Sequence, residues 1–181
     1  MTTDIWLSNV TRTPSPNFNS RPKNQNVDLI IIHCISLPPG IFKGNSIEKF
    51  FKNKLDFNSH PYFKEIKNLK VSSHFLIRRD GHIQQFVALN KRAWHAGESN
   101  FLGKKDCNDY SIGIELEGTE DTNFEEIQYK NLINLTENII KYFPLITLDR
   151  IIGHSEVSPN RKTDPGQFFD WKKYKNSINI K

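Results

Sequence analysis

The run VDLIIIHCI, residues 27–35, constrains this chain most. A strand with one wet face alternates apolar and polar residues, whereas this run is aliphatic almost without a break between polar flanks. It therefore reads as a central strand buried on both faces, in a sheet covered by other elements on each side. His33 lies near its C-terminal end, and SLPPG then forces a turn.

The rest of the chain supplies the covering layers. NSIEKFFKNKL reads as a short helix capped by Asn45 or Ser46, and SHPYFKEIKNL as a second one. SSHFLIRRDGHIQQFV has two strand-like halves around Asp80-Gly81, a dipeptide suited to the positive φ of a tight hairpin. From residue 88 to 109 periodicity disappears, which predicts a long loop, and its Trp94-His95 pair points to function. YSIGIELEG alternates, with Ile112, Ile114 and Leu116 on one face and Gly113, Glu115 and Glu117 on the other. Thr122 and Glu125 form a capping-box pattern for the longest helix, whose apolar residues recur at helical spacing until Pro144. LDRIIGH is a short strand, and Trp171, Tyr174 and Ile178 space a final helix over 168–179. Strands alternating with helices predict an α/β fold: one domain over residues 1–181, with a central mixed β-sheet flanked by helices and a mostly irregular segment at 1–26.

Composition removes several function classes. The 181 residues can bury a core unaided, and no apolar run approaches the roughly 18 residues of a membrane span. The N-terminal residues lack the pattern of a secretory signal, so a cytoplasmic location is expected, with Cys34 and Cys107 as free thiols. The net charge of +5 is spread along the chain and not massed, so no nucleic-acid or membrane partner is expected. No obligate protein partner is evident either.

The chemistry concentrates in IIGHSEVSPNRKTDPG, residues 151–166. His154 here and His33 earlier share a setting, each at the C-terminal end of a short aliphatic strand before a Pro/Gly-containing loop. That edge of a helix-covered sheet is where ligand sites gather. With Asp164 they make two imidazoles and one carboxylate, the composition of a catalytic zinc that keeps a position open for water. Such a site needs a base and a cation for the developing oxyanion. Glu115 or Glu117 could be the base, and Lys162 the cation. Each piece alone is weak, since a single strand-end histidine is more often structural.

The segments IIIHCISLPPG, VSSHFLIRRDGHIQQFV, KRAWHAGES, CNDYSIGIELEGT and GHSEVSPNRKTDPGQFFDW together resemble the zinc-dependent N-acetylmuramoyl-L-alanine amidases of type 2. More narrowly they resemble the branch that acts on 1,6-anhydro-N-acetylmuramyl-L-alanine. The resemblance runs from about Trp6 to Trp171. It implies Zn2+ held by His33, His154 and Asp164, Glu115 as general base, and Lys162 as the stabilising cation. It also implies an anhydro-muropeptide substrate, in cytosolic cell-wall recycling, with Trp94 in the wall of the sugar site. Three positions depart from the family pattern: Cys34 stands where asparagine is usual, Lys70 where arginine is common, and Asp106 where another basic residue is expected. Cys34 and Lys70 thus join Trp94 as candidate substrate contacts. The alternatives are a wall-degrading amidase of phage or exported type, or a peptidoglycan-binding module without catalysis; a pure binder could dispense with Asp164 or Lys162, and both are present.

Overall fold

The computed structural model describes residues 3–179. Its centre is a six-stranded sheet in the order β1-β5-β4-β9-β3-β10. These strands are β1 (Thr11–Arg12), β5 (Ile83–Gln85), β4 (Phe75–Ile77), β9 (Ser111–Glu117), β3 (Leu29–Ile35) and β10 (Ile151–Gly153). β4, β9, β3 and β10 run parallel, and β5 pairs antiparallel with β4, so the sheet is mixed. The aliphatic run of β3 lies between two partners with Leu29 to Ile32 fully buried, the outcome that its lack of alternation predicts.

Two layers cover the sheet. On one face Ile30, Ile32, Ile112, Ile114 and Leu116 pack against helix α3 (Glu126–Tyr142) through Leu132, Leu135 and Ile139. On the other, Leu29, Ile31 and Ile152 meet Ala96, Cys107 and Tyr110. Beside them Leu76 and Phe86 pack with α1 (Ser46–Phe51) and α2 (Pro61–Glu65). His33 follows Ile31 by two residues and Glu115 follows Gly113 by two, so both belong to this second face, away from α3.

The mostly irregular N-terminal segment contributes two short strands: β1 joins the main sheet, and β2 (Phe18–Ser20) pairs with β6 (Lys91–Ala93). Several local expectations need correction. The 88–109 loop holds β6, a hairpin of β7 (Asn100–Phe101) and β8 (Lys104–Lys105), and a 3-10 turn at Cys107–Asp109. These strands are two or three residues long, too short to carry a period. The N-cap of helix α3 is Glu125, whose amide donates to Gln128 Oε1 at 3.0 Å, and not Thr122. Gln128 also donates to the Ile77 and Glu117 carbonyls, so it ties the helix start to two strands. The second and final helices shrink to Pro61–Glu65 and, for α5, Trp171–Asn176, the latter capped by Asp170.

Candidate active site

Strand register builds the site. Ile32 lies beside Gly153, the last residue of β10, and His33 beside Glu115 of β9. His154, which follows Gly153 and opens helix α4 (His154–Val157), therefore stands level with His33. Three adjacent parallel strands thus deliver His154, His33 and Glu115 to one row at their C-terminal edge. Asp164 returns to that row along the loop after α4, where the Ser155 amide donates to its carbonyl.

The side chains converge tightly. His33 Nδ1 lies 3.0 Å from both His154 Nδ1 and Asp164 Oδ2, and His154 Nδ1 lies 3.1 Å from Asp164 Oδ2. All three residues are buried and together form a group able to hold a metal ion. The His154 Nε2 proton is committed to the Ala96 carbonyl at 3.0 Å, which leaves Nδ1 as a bare lone pair facing a carboxylate oxygen. Two acceptors in that position repel unless a cation lies between them. Donor atoms about 2.0–2.1 Å from a tetrahedral zinc are roughly 3.3 Å apart, so the observed triangle needs to open only slightly to accept one. Burial pushes the His33 imidazole down to about 4, against the pull of Asp164, so it stays neutral at pH 7 as a ligand must.

The two acids of IELEG have different surroundings. Glu117 is tied to Arg78 Nη1 at 2.9 Å and to the Arg79 amide at 3.2 Å. Glu115 is buried, and its Oε2 has no hydrogen-bond partner among the described residues. Burial first, then the Asp164 charge, pushes its carboxyl up to about 8, with Lys162 pulling the other way. A buried carboxyl with a free oxygen and a raised pKa suits a group that takes and returns a proton.

These residues line the floor of a groove of about 960 Å³. Its lining includes the 35–42 turn, residues of α1 and α2, Trp94, the 118–122 loop, and Arg161, Lys162 and Thr163. Lys162 is exposed and faces the groove. Cys34 and Trp94 line it too, and the Trp94 indole donates to Asn19 Oδ1 at 2.9 Å. Lys70 is exposed between two lining residues, Leu69 and Val71, but is not itself part of the wall. Asp106 is exposed in a left-handed turn and also lies off the groove. Sequence reading marked the Trp94-His95 pair as functional but gave His95 no specific role, and it assigned none to Arg161. Arg161 donates to the Ala96 and Glu98 carbonyls and to Ser158 Oγ, closing the loop over His154.

The model of the N-acetylmuramoyl-L-alanine amidase family matches residues 23–167. A Haemophilus influenzae 1,6-anhydro-N-acetylmuramyl-L-alanine amidase, AmpD, is 51% identical over 172 residues, covering 95% of this chain and 94% of that protein. A crystal structure of a selenomethionine AmpD derivative superposes with a TM-score of 0.94 at 45% identity, over 99% of both chains. The E. coli amidase AmiD, solved with anhydro-N-acetylmuramic acid-L-Ala-D-γ-Glu-L-Lys, superposes with a TM-score of 0.62 at 25% identity, over 91% of this chain and 67% of that one.

Proposed function

This chain belongs to the N-acetylmuramoyl-L-alanine amidase family and is an amidase, and from that premise we propose that it hydrolyses the bond between the lactyl group of 1,6-anhydro-N-acetylmuramic acid and the L-alanine of a stem peptide, with zinc as its cofactor. The observation that carries the reading is the convergence of His33, His154 and Asp164 within 3.1 Å of one another beside the unpartnered Glu115 oxygen. Likeness to AmpD over nearly the whole chain supports the anhydro-sugar substrate. A muropeptide already released from the wall is small and diffusible, which suits an enzyme of cytosolic recycling.

His33, His154 and Asp164 would hold the ion. Bound there, zinc supplies Lewis acidity, which polarises the scissile carbonyl and lowers the pKa of a water toward about 7. Two neutral imidazoles and one carboxylate leave that site with net positive charge. Glu115 takes the proton from the attacking water, holds it in its buried carboxyl, and returns it to the departing amine of L-alanine. Lys162, at the groove wall, offsets the negative charge that develops on the substrate oxygen. Products are the anhydro-sugar and a free stem peptide. The apolar wall around Trp94 excludes water from one flank of the substrate.

The test is to incubate the purified protein, with zinc and with chelator, on anhydro-muropeptide and on intact sacculi, and to identify products by mass. Metal-dependent release of peptide from the anhydro-muropeptide, with sacculi left largely intact, is expected. Failure to release peptide from either substrate would overturn the reading; cleavage of sacculi with indifference to the anhydro ring would make the protein a wall-degrading amidase.

A further inference from the structure

Both imidazoles of the three-residue cluster take their outer hydrogen bonds from one short segment. His154 Nε2 donates to the Ala96 carbonyl, and His33 Nε2 lies 3.0 Å from His95 Nδ1. The segment is pinned from behind, because Asn108 Oδ1 accepts from the amides of His95 at 3.0 Å and Ala96 at 2.8 Å. The His95 ring fits only because residue 113 is glycine: a Cβ there would lie 2.4 Å from His95 Cγ.

Proton placement along this chain follows from its far end. The buried Ser111 hydroxyl is 2.6 Å from the Cys107 carbonyl, which can only accept, so its hydrogen is committed there. Ser111 Oγ must then accept from His95 Nε2, 3.2 Å away, which leaves His95 Nδ1 as a lone pair. That lone pair in turn requires the proton of His33 on Nε2. His33 Nδ1 is thereby bare, and it is the atom aimed at His154 and Asp164.

We propose that His95, braced by Ser111 and Asn108, is a positioning residue that sets the tautomer and ring orientation of His33 so that its Nδ1 lone pair faces the metal. This rests on the metal reading of the site. The Trp94–Gly97 segment then acts as one scaffold for both imidazoles, through a side chain for His33 and a backbone carbonyl for His154. Hydrogen bonds to the outer nitrogen of a ligating histidine raise its basicity and hold its plane, and losing one commonly weakens metal binding by about 10- to 100-fold.

The experiment measures zinc affinity of the purified protein by competition with a chromophoric chelator. The wild type is expected to bind one zinc. His95→Leu, which keeps bulk but removes the acceptor, should bind it about 10- to 100-fold more weakly. His95→Asn can present an amide oxygen near the lost Nδ1, and should recover to within about threefold of wild type if a single acceptor is what matters. In the metal-free protein, imidazole nitrogen correlations by NMR should show His33 protonated on Nε2 alone in wild type and as a tautomer mixture in His95→Leu. Zinc binding by His95→Leu within twofold of wild type would overturn the proposal, as would His95→Asn binding no better than His95→Leu. If His95→Leu fails to fold, Ser111→Ala decides: a mixed His33 tautomer with weakened zinc binding supports the relay, and wild-type behaviour in both overturns it. A wild type that binds no zinc would remove the metal reading itself, a failure distinct from a wild type and His95→Leu that bind it equally.

Discussion

Glu115 and His33 are register partners on adjacent parallel strands, and the buried Glu115 Oε2 beside that pair has no hydrogen-bond partner among the described residues. The large majority of buried polar groups are hydrogen-bonded, and an orphan oxygen costs about 1–3 kcal/mol. The cost makes sense if substrate or water occupies the position opposite. Glu115→Gln keeps the shape but cannot take a proton. Turnover is expected to fall at least about 10²-fold while zinc stoichiometry, read by atomic emission, stays at one. Loss of zinc along with activity would make Glu115 a ligand and not a base.

Asp164 supplies the anionic atom of the cluster and lies on the loop after α4. Asp164→Ala should therefore lose the metal outright, in contrast with Glu115→Gln. Ligand binding to the native state alone stabilises by RT ln(1 + [L]/Kd), about 4 kcal/mol at a thousandfold excess over Kd. For a chain of this size that is a rise in melting temperature on the order of 10 °C. Zinc should raise the melting temperature of the wild type, chelator should reverse the rise, and Asp164→Ala should show neither. An equal response in the variant would show that the stabilising ion sits elsewhere.

Much of this site was legible because its parts lie at strand ends. The unbroken aliphatic run before His33 predicts a central strand buried on both faces, and LDRIIGH before His154 a short strand; the two pair in parallel, and parallel strands deliver their C-terminal residues to a common edge. Alternation in YSIGIELEG put Glu115 and Glu117 on one face but could not choose between them. That choice depends on Arg78, which pairs with Glu117. The start of α3 was misplaced because Thr122 and Glu125 satisfy the local capping pattern, whereas Gln128 finds better partners in the carbonyls of Ile77 and Glu117, distant in sequence. Nothing in the spacing of KRAWHAG ties His95 to His33. The one local signal was Gly113 between Ile112 and Ile114 within a strand, a mark of close approach by another group.

Gly113→Ala tests that mark. An added Cβ would fall 2.4 Å from His95 Cγ and 2.6 Å from Nδ1, and neither can yield without moving the ring away from His33 and Ser111. Overpacking of this kind costs about 1–3 kcal/mol. The urea midpoint should fall accordingly, and zinc affinity should weaken with it. An alanine variant of unchanged stability and unchanged zinc affinity would mean that the His95 ring has room to relocate.

His74 provides a pH dependence independent of the metal. It is fully buried, its Nδ1 accepts from the Gly113 amide at 3.0 Å, and its Nε2 donates to the Lys91 carbonyl at 3.1 Å. Burial first and then the neighbouring Arg21 guanidinium push its pKa down to about 3. The unfolded chain takes up a proton near pH 6.5, while the folded chain does not until near pH 3. His74 therefore imposes no penalty above pH 6.5, and it subtracts stability as pH falls between 6.5 and 3, at about 1.4 kcal/mol per pH unit. Between pH 6.5 and 5 that is about 2 kcal/mol. His74→Gln can keep one of the two hydrogen bonds but cannot titrate. The variant should be less stable than wild type at pH 7, yet should lose less stability on going to pH 5. Urea midpoints at both pH values, in chelator so that metal occupancy does not intervene, measure the two slopes. Equal slopes would mean that the imidazole takes up its proton in the folded state, which requires Arg21 to withdraw from it.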